Sequence, residues 1–408
     1  MRTDKKYYKV VFIILILILQ ICSIVALLVD FDGNQANIFF QKTKNYLADY
    51  INVAKYSAEN NPYFSTINGN GEHAYLPFTY VLFYLLSKLS DYVNLDAFTA
   101  GYSTLSLAEI NLLFTLLTLI FFIVLKRVYQ ENNLIDDVLI LMLFGSGIYI
   151  FSYERGNIVF LSVICLTVYL NYYDSKNEMK KQIAFVALAV AAAIKGFPAL
   201  FGVLLIYEKR WKDAIYLILY GIIISMLPFV FLENGFSNIP QWLQNLEMNN
   251  LSYKYANFPR FGYLAFLSIF SENYNNCIEI LDMILKIITV ISCLMMAVTS
   301  NKQEVKWKKF LGLILILIMF PVNSAIYCGL YLFPVILLFF KEQVYKKYDV
   351  IYMFLFVICL NPFQIVIKNV NLTWYLVNIS AMIMFGMILI ENIQLYKAKI
   401  CGTNNQIN

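Results

Sequence analysis

Apolar runs of roughly 20 residues recur along this chain from residue 10 to residue 395, punctuated by clusters of Lys and Arg. At 1.5 Å per residue such a run covers about 30 Å of hydrocarbon, and only a helix satisfies its own backbone there. Charged residues make up 14% of the sequence, against about 25% in a soluble domain, and mean hydropathy is +0.65. A disordered chain, a secreted disulfide scaffold and a soluble DNA-binding domain are thereby excluded. The net charge of +5 reports how Lys and Arg sort across the membrane. The chain reads as an all-α polytopic protein, residues 1–408 forming one integral-membrane domain.

Arg2, Lys5, Lys6 and Lys9 set the N-terminus in the cytoplasm, and residues 10–29 read as an uncleaved first span that delivers Asp30 outside. Residues 30–104 follow as a long extracytoplasmic loop. Its apolar stretch 75–89 contains Pro77 and Lys88 and reads as an interfacial helix, because counting it as a span would invert every basic loop that follows. Spans at 105–125, 134–152, 157–173, 214–232, 278–299, 309–322, 326–340, 349–367 and 372–395 then keep the basic clusters and both termini inside. A re-entrant stretch ending near Phe270 and the segment 182–207 bring the expectation to about 12 membrane-embedded segments.

Segment 182–207 lies between Lys180-Lys181 and Lys209-Arg210-Trp211-Lys212. If both clusters are cytoplasmic, the chain goes out and returns in limbs of about 13 residues, roughly 20 Å each and too short to cross. The break falls at Lys195-Gly196-Phe197-Pro198. One kinked span with a snorkelling Lys195 is the alternative.

This threading gathers a set of polar side chains at the outer face. The first loop opens Asp30-Phe31-Asp32 and contains His73, the single histidine; a later turn reads Glu154-Arg155-Gly156-Asn157, and a further loop Asn257-Phe258-Pro259-Arg260. Asp30 and Asp32 fit a carboxylate pair and equally fit ordinary residues where a helix leaves the bilayer. Lys195 is more telling, since an ionisable group inside an apolar segment costs about 2.5 to 3.5 kcal/mol on insertion scales and marks a functional position by default. Arg155 and Arg260 read as further cations or as interfacial anchors. A carboxylate and cations at the lipid boundary suit attack by a hydroxyl on a sugar carried on a lipid phosphate: the carboxylate takes the proton and the cations meet the leaving charge. No G-x-G-x-x-G or G-K-[ST] loop is present to hold a nucleotide. The seven cysteines lie mostly in apolar runs without C-x-x-C pairing and read as small hydrophobes.

In chain order, Asp30-Phe31-Asp32, Asn61-Pro62-Tyr63, Tyr75-Leu76-Pro77-Phe78, Tyr153-Glu154-Arg155-Gly156-Asn157, and Ala192-Ala193-Ile194-Lys195-Gly196-Phe197-Pro198 with Lys209-Arg210-Trp211 after it resemble the motifs of GT-C class membrane glycosyltransferases. The resemblance is to glycosyltransferase family 87 and to the mannosyltransferase that adds the first mannose in glycolipid-anchor synthesis. It implies a GT-C-like fold and inverting transfer of a mannose- or glucose-type hexose from a polyprenyl-phosphate sugar to a lipid-linked or surface glycan acceptor outside a bacterial cell membrane. Asp32 becomes the expected catalytic carboxylate with Asp30 beside it, and Lys195, Arg155 and Arg260 the donor-phosphate cations. Asn157, Asn257, Tyr327 and His73 become expected substrate contacts. Tyr327 stands near the place where such proteins often carry a His after a Ser-Pro segment. No cofactor and no nucleic-acid partner is expected; a divalent-metal requirement stays open, with no metal ligand assigned.

Two other classes share this polytopic look. A polysaccharide polymerase would carry its longest loop late in the chain with several arginines, and a transporter of lipid-linked oligosaccharides would show internal repeats. Here the longest loop follows the first span and no repeat is visible.

Overall fold

The computed structural model describes residues 2–29, 36–37, 46–67, 72–90, 92, 103–129, 133–273, 276–341, 348–367 and 370–400, and the structural statements below concern these residues. In chain order the helices are α1 (Arg2–Val29), α2 (Ala48–Ala58), α3 (Pro77–Leu86), α4 (Thr104–Tyr129), α5 (Leu134–Phe144), α6 (Gly147–Arg155), α7 (Val159–Tyr172), α8 (Glu178–Lys195), α9 (Val203–Tyr207), α10 (Trp211–Met226), α11 (Ile239–Lys254), α12 (Leu264–Leu267), α13 (Asn276–Ser300), α14 (Lys306–Met319), α15 (Phe333–Lys341), α16 (Asp349–Cys359) and α17 (Leu372–Ile400). Three short strands, β1 (Ala36–Asn37), β2 (Gln364–Ile367) and β3 (Val370–Asn371), pair antiparallel in the order β1-β2-β3.

Five segments are long and apolar enough to cross a membrane: Tyr7–Ala26, Thr104–Val128, Trp211–Phe231, Cys277–Ser300 and Leu372–Lys399; α5 and α6 together qualify as a sixth, bent one. Large apolar side chains stand exposed along them, Leu112 at 62%, Ile222 at 56% and Leu294 at 62%. Water would make such a surface unfavourable by about 25 cal/mol per Å², and hydrocarbon does not. This is a helical membrane protein.

The other expected spans take shorter forms. Helix α14 has 14 residues and buries 11 of them, and α7 also has 14. A helix walled by protein finds its apolar surroundings there, so its length is not set by the bilayer. Residues 349–367 do not form one helix: α16 stops at Cys359 and the chain re-forms as β2, because Pro362 disfavours helical backbone at the residue before it and cannot donate a backbone hydrogen bond. Residues 326–340 begin as a 3-10 turn, Ile326–Leu332, before α15. Helix α3, in the apolar part of the first loop, has ten residues, about 15 Å.

Packing divides the chain into two compact units of interleaved segments. The first comprises Met1–Ile38, Tyr129–Ile150 and Tyr255–Asn408, the second Phe39–Val128 and Phe151–Lys254. In the first, α14 packs with α13, α15 and α17. Lys308 at its start is 3% exposed and pairs with Asp349 at 2.8 Å and Glu391 at 2.7 Å, while the Tyr352 hydroxyl donates to Glu391 at 2.9 Å. A buried ion pair, Lys9–Asp136, ties α1 to α5.

In the second unit, α8 packs between α7 and α10. Helices α2 and α3 close over an aromatic cluster of Tyr56, Tyr63, Tyr80 and Phe229. Helix α11 ties down Tyr63, His73 and Ala74: the Trp242 indole donates to the Ala74 carbonyl at 3.2 Å, and the Asn245 amide to the carbonyls of Tyr63 at 2.9 Å and His73 at 3.2 Å. Buried carbonyls that no sheet or helix can satisfy find their donors on these side chains.

Candidate active site

The second unit places several of the expected residues in one neighbourhood. Helix α6 ends at Arg155, and the chain turns through Gly156, whose φ of +62° suits glycine. A side chain on Gly156 would also come within 2.9 Å of the Tyr50 Cβ. The turn docks on the start of α2, where the Leu47 N–H donates to the Glu154 carbonyl at 2.7 Å. The Arg155 guanidinium pairs with one oxygen of Asp49, and the Asn157 amide donates to the other at 2.6 Å. Arg155, expected to face the donor phosphate, is thus held by a carboxylate that sequence reasoning missed. Asp49 in the first turn of a helix is an ordinary residue there, and its partner lies 106 positions away, so no local signal marks it.

Lys195 closes α8, where the exposed carbonyls favour a cation. The reversal is made at Gly196, with φ +62° and ψ −58° and its N–H donating to the Ala192 carbonyl at 2.6 Å. The chain returns through a 3-10 stretch, Phe197–Gly202, and α9. The helix is longer than the sequence limbs suggest: it starts at Glu178, within the basic loop, and its 18 residues rise about 27 Å. The half-buried Lys195 ammonium donates to the Tyr75 hydroxyl at 3.4 Å and lies 4.9 Å from that ring's centre. Tyr75 is fixed in turn, its N–H donating to the Tyr80 hydroxyl at 3.3 Å and its carbonyl accepting from the Tyr63 hydroxyl at 3.0 Å.

Glu72 completes the group. The Tyr253 hydroxyl lies 3.0 and 3.2 Å from its two oxygens. Burial pushes the Glu72 carboxyl above the usual carboxylate range, the Tyr253 hydrogen bond opposes this, and the charge of Asp49 adds to it. Tyr253 is raised by burial and then by Glu72, Asp49 and Tyr75. Two carboxylates and two tyrosines therefore share one electrostatic neighbourhood, with Arg155 bonded to one carboxylate and Lys195 to one tyrosine. His73 sits differently: it is 1% exposed, its ring meets Tyr56 edge-on at 4.2 Å, and burial lowers its pKa. That is the setting of a neutral core histidine.

Arg260, Asn257 and Tyr327 belong to the first unit. Residues 259–261 run beside 324–326, with the Phe261 N–H donating to the Ser324 carbonyl and the Ile326 N–H to the Pro259 carbonyl, each at 2.9 Å. Arg260 is 1% exposed, donates to the Leu264 carbonyl at 3.0 Å and lies 4.8 Å from the Phe258 ring centre, and burial brings its pKa down to about 10. Tyr327 is buried in the adjoining 3-10 turn, and Asn257 is exposed. Asp30 and Asp32 lie outside the described residues.

The sequence matches the profile of glycosyltransferase family 87 over residues 73–321, more than half of the chain. The chain belongs to glycosyltransferase family 87. No curated protein and no solved structure matches it. The family match runs through His73, Arg155, Asn157, Lys195, Asn257 and Arg260, and ends before Tyr327. For a family 87 glycosyltransferase the second unit holds usable parts: carboxylates that can accept a hydroxyl proton and bind sugar hydroxyls, and a lysine that can meet an anion.

Proposed function

We propose that this glycosyltransferase moves a mannose- or glucose-type hexose from a polyprenyl-phosphate sugar to a lipid-linked or surface glycan acceptor on the outer face of the membrane, with inversion at the anomeric carbon. Lys195 carries this reading: a cation at the reversal of an apolar helix, beside an aromatic ring from the first loop. An ammonium so placed suits a phosphate whose lipid chain runs among apolar helices.

The acceptor hydroxyl oxygen attacks the anomeric carbon, the bond from that carbon to the phosphate oxygen breaks, and the hydroxyl proton passes to a carboxylate. Polyprenyl phosphate leaves with its charge facing Lys195. Asp32 is assigned as the proton acceptor, with Asp30 orienting the acceptor. Arg155 and Arg260 add positive charge on the donor side, and Asn157, Asn257, Tyr327 and His73 are assigned to substrate contacts. Of these, Arg155 and Asn157 would act while bonded to Asp49, and His73 from within the core.

Lys195→Ala should lower transfer from a synthetic polyprenyl-phosphate hexose by about 10² to 10³-fold, as for loss of one donor to developing negative charge, and Lys195→Arg should recover part of it. The product linkage, read by NMR, should have the anomeric configuration opposite to the donor's. A normal rate in a well-inserted Lys195→Ala protein would return this residue to a snorkelling role.

A further inference from the structure

Helices α13 and α17 of the first unit both reach the segment 255–263, whose only charged residue is Arg260. From α13 comes Asp282, whose two carboxylate oxygens accept from the hydroxyls of Tyr255 at 3.2 Å and Tyr263 at 3.0 Å. One carboxylate holds both ends of the segment. From α17 the Asn378 side chain pairs with the backbone of Gly262, accepting its N–H at 2.8 Å and donating to its carbonyl at 3.0 Å. Gly262 has φ +88°, and a Cβ there would come within 2.8 Å of the Met319 carbonyl oxygen.

Asp282 is out of character for its helix. Cys277–Ser300 is long and apolar enough to cross the membrane, and Leu281, Met283 and Ile284 are exposed around an aspartate that is itself 4% exposed. A carboxylate in such a segment is costly and marks a functional position by default. An aliphatic residue at 282 facing two phenylalanines would pack the same space without a buried charge. What the carboxylate adds is direction, because its hydrogen bonds fix where Tyr255 and Tyr263 lie and hence the backbone between them. Arg260 lies within reach of this arrangement electrostatically: burial raises the Tyr263 hydroxyl first, Asp282 next and then Tyr255, while the Arg260 charge opposes them.

We infer that Asp282 is a positioning residue for Arg260: by holding Tyr255 and Tyr263 it fixes the backbone that carries the guanidinium, and so the place of its charge on the donor side. The inference rests on the donor-side assignment of Arg260 above and deepens it.

The test measures binding of a fluorescent polyprenyl phosphate to the full-length protein in nanodiscs, with the matching uncharged prenol as reference. Asp282→Leu should weaken phosphate binding by about tenfold and leave prenol binding unchanged. Tyr255→Phe and Tyr263→Phe each leave one hydroxyl on the carboxylate and should weaken it less. Arg260→Ala should weaken it at least as much as Asp282→Leu, and adding Asp282→Leu to Arg260→Ala should cost nothing further, because the group it positions is gone. Thermal unfolding checks that each variant folds, and if Asp282→Leu does not, the two tyrosine variants are compared in the same way. Undiminished phosphate binding in Asp282→Leu or in both tyrosine variants, an equal loss for the prenol, or losses that multiply in the double variant would each overturn the inference and leave the role of Arg260 standing. Wild-type affinity in Arg260→Ala would remove that role and the inference together.

Discussion

Asp49 and Glu72 give the candidate site its character at the scale of single residues. The Asp49 carboxylate receives both the guanidinium of Arg155 and the amide of Asn157, so Asp49→Ala should destabilise the protein by about 1 to 3 kcal/mol through desolvated groups that lose this partner. The double variant with Arg155→Ala should cost less than the sum of the single changes, with a coupling of about 0.5 to 3 kcal/mol in denaturant unfolding; strictly additive losses would show the pair to be energetically idle. Glu72 makes a pH-dependent contribution. Its folded pKa is raised, chiefly by burial, so the fold binds its proton more tightly than the unfolded chain does. That stability is complete below the ordinary glutamate value of about 4.3 and is lost as pH rises through the folded value. Glu72→Gln should flatten this decline in a melting-temperature profile, and Tyr253→Phe, which removes an opposing hydrogen bond, should extend it to higher pH. Superimposable profiles for the three proteins would rule the contribution out.

At the scale of elements, the reversal after α8 depends on one backbone position. Gly196 holds φ +62° and ψ −58°, close to the strained γ-turn region, where a Cβ costs of order 1 to 3 kcal/mol even in open space. Nothing lies within 4 Å of a Cβ built at either Gly196 or Gly221, which separates conformational strain from crowding. Gly196→Ala should therefore destabilise the protein and disturb transfer, whereas Gly221→Ala, in the interior of α10, should stabilise it by up to about 1 kcal/mol. Melting temperatures of the two variants side by side decide this, and equal shifts would contradict it. Helix α11 works at the same scale. It holds Tyr75 through carbonyls two residues or fewer away, at Ala74 and His73, and so sets what Lys195 meets.

For the whole molecule, the testable quantity is which side of the membrane each loop faces. The basic-loop argument puts the first loop outside and the end of α4 inside. Single cysteines at Asn60 and Arg127, both exposed positions, should react with an impermeant thiol reagent from opposite sides of sealed vesicles, in a background with the native cysteines removed. Reaction from one side would undo the threading and the outer-face reaction together.

Sequence alone was enough to establish a helical membrane protein, the place of the break at Lys195-Gly196, and the resemblance to family 87 that the profile match over residues 73–321 bears out. Hydropathy over 20 residues and the backbone freedom of one glycine are local properties, and they survive whatever the rest of the chain does. Tertiary structure decided the pairings: Arg155 with Asp49 across 106 positions, Glu72 with Tyr253 across 181, and Lys308, a topology-setting lysine by sequence, buried against Asp349 and Glu391. It also decided which apolar segments reach bilayer length, because a helix such as α14, enclosed by protein on nearly every face, takes its apolar environment from its neighbours and leaves no length signal in its own residues.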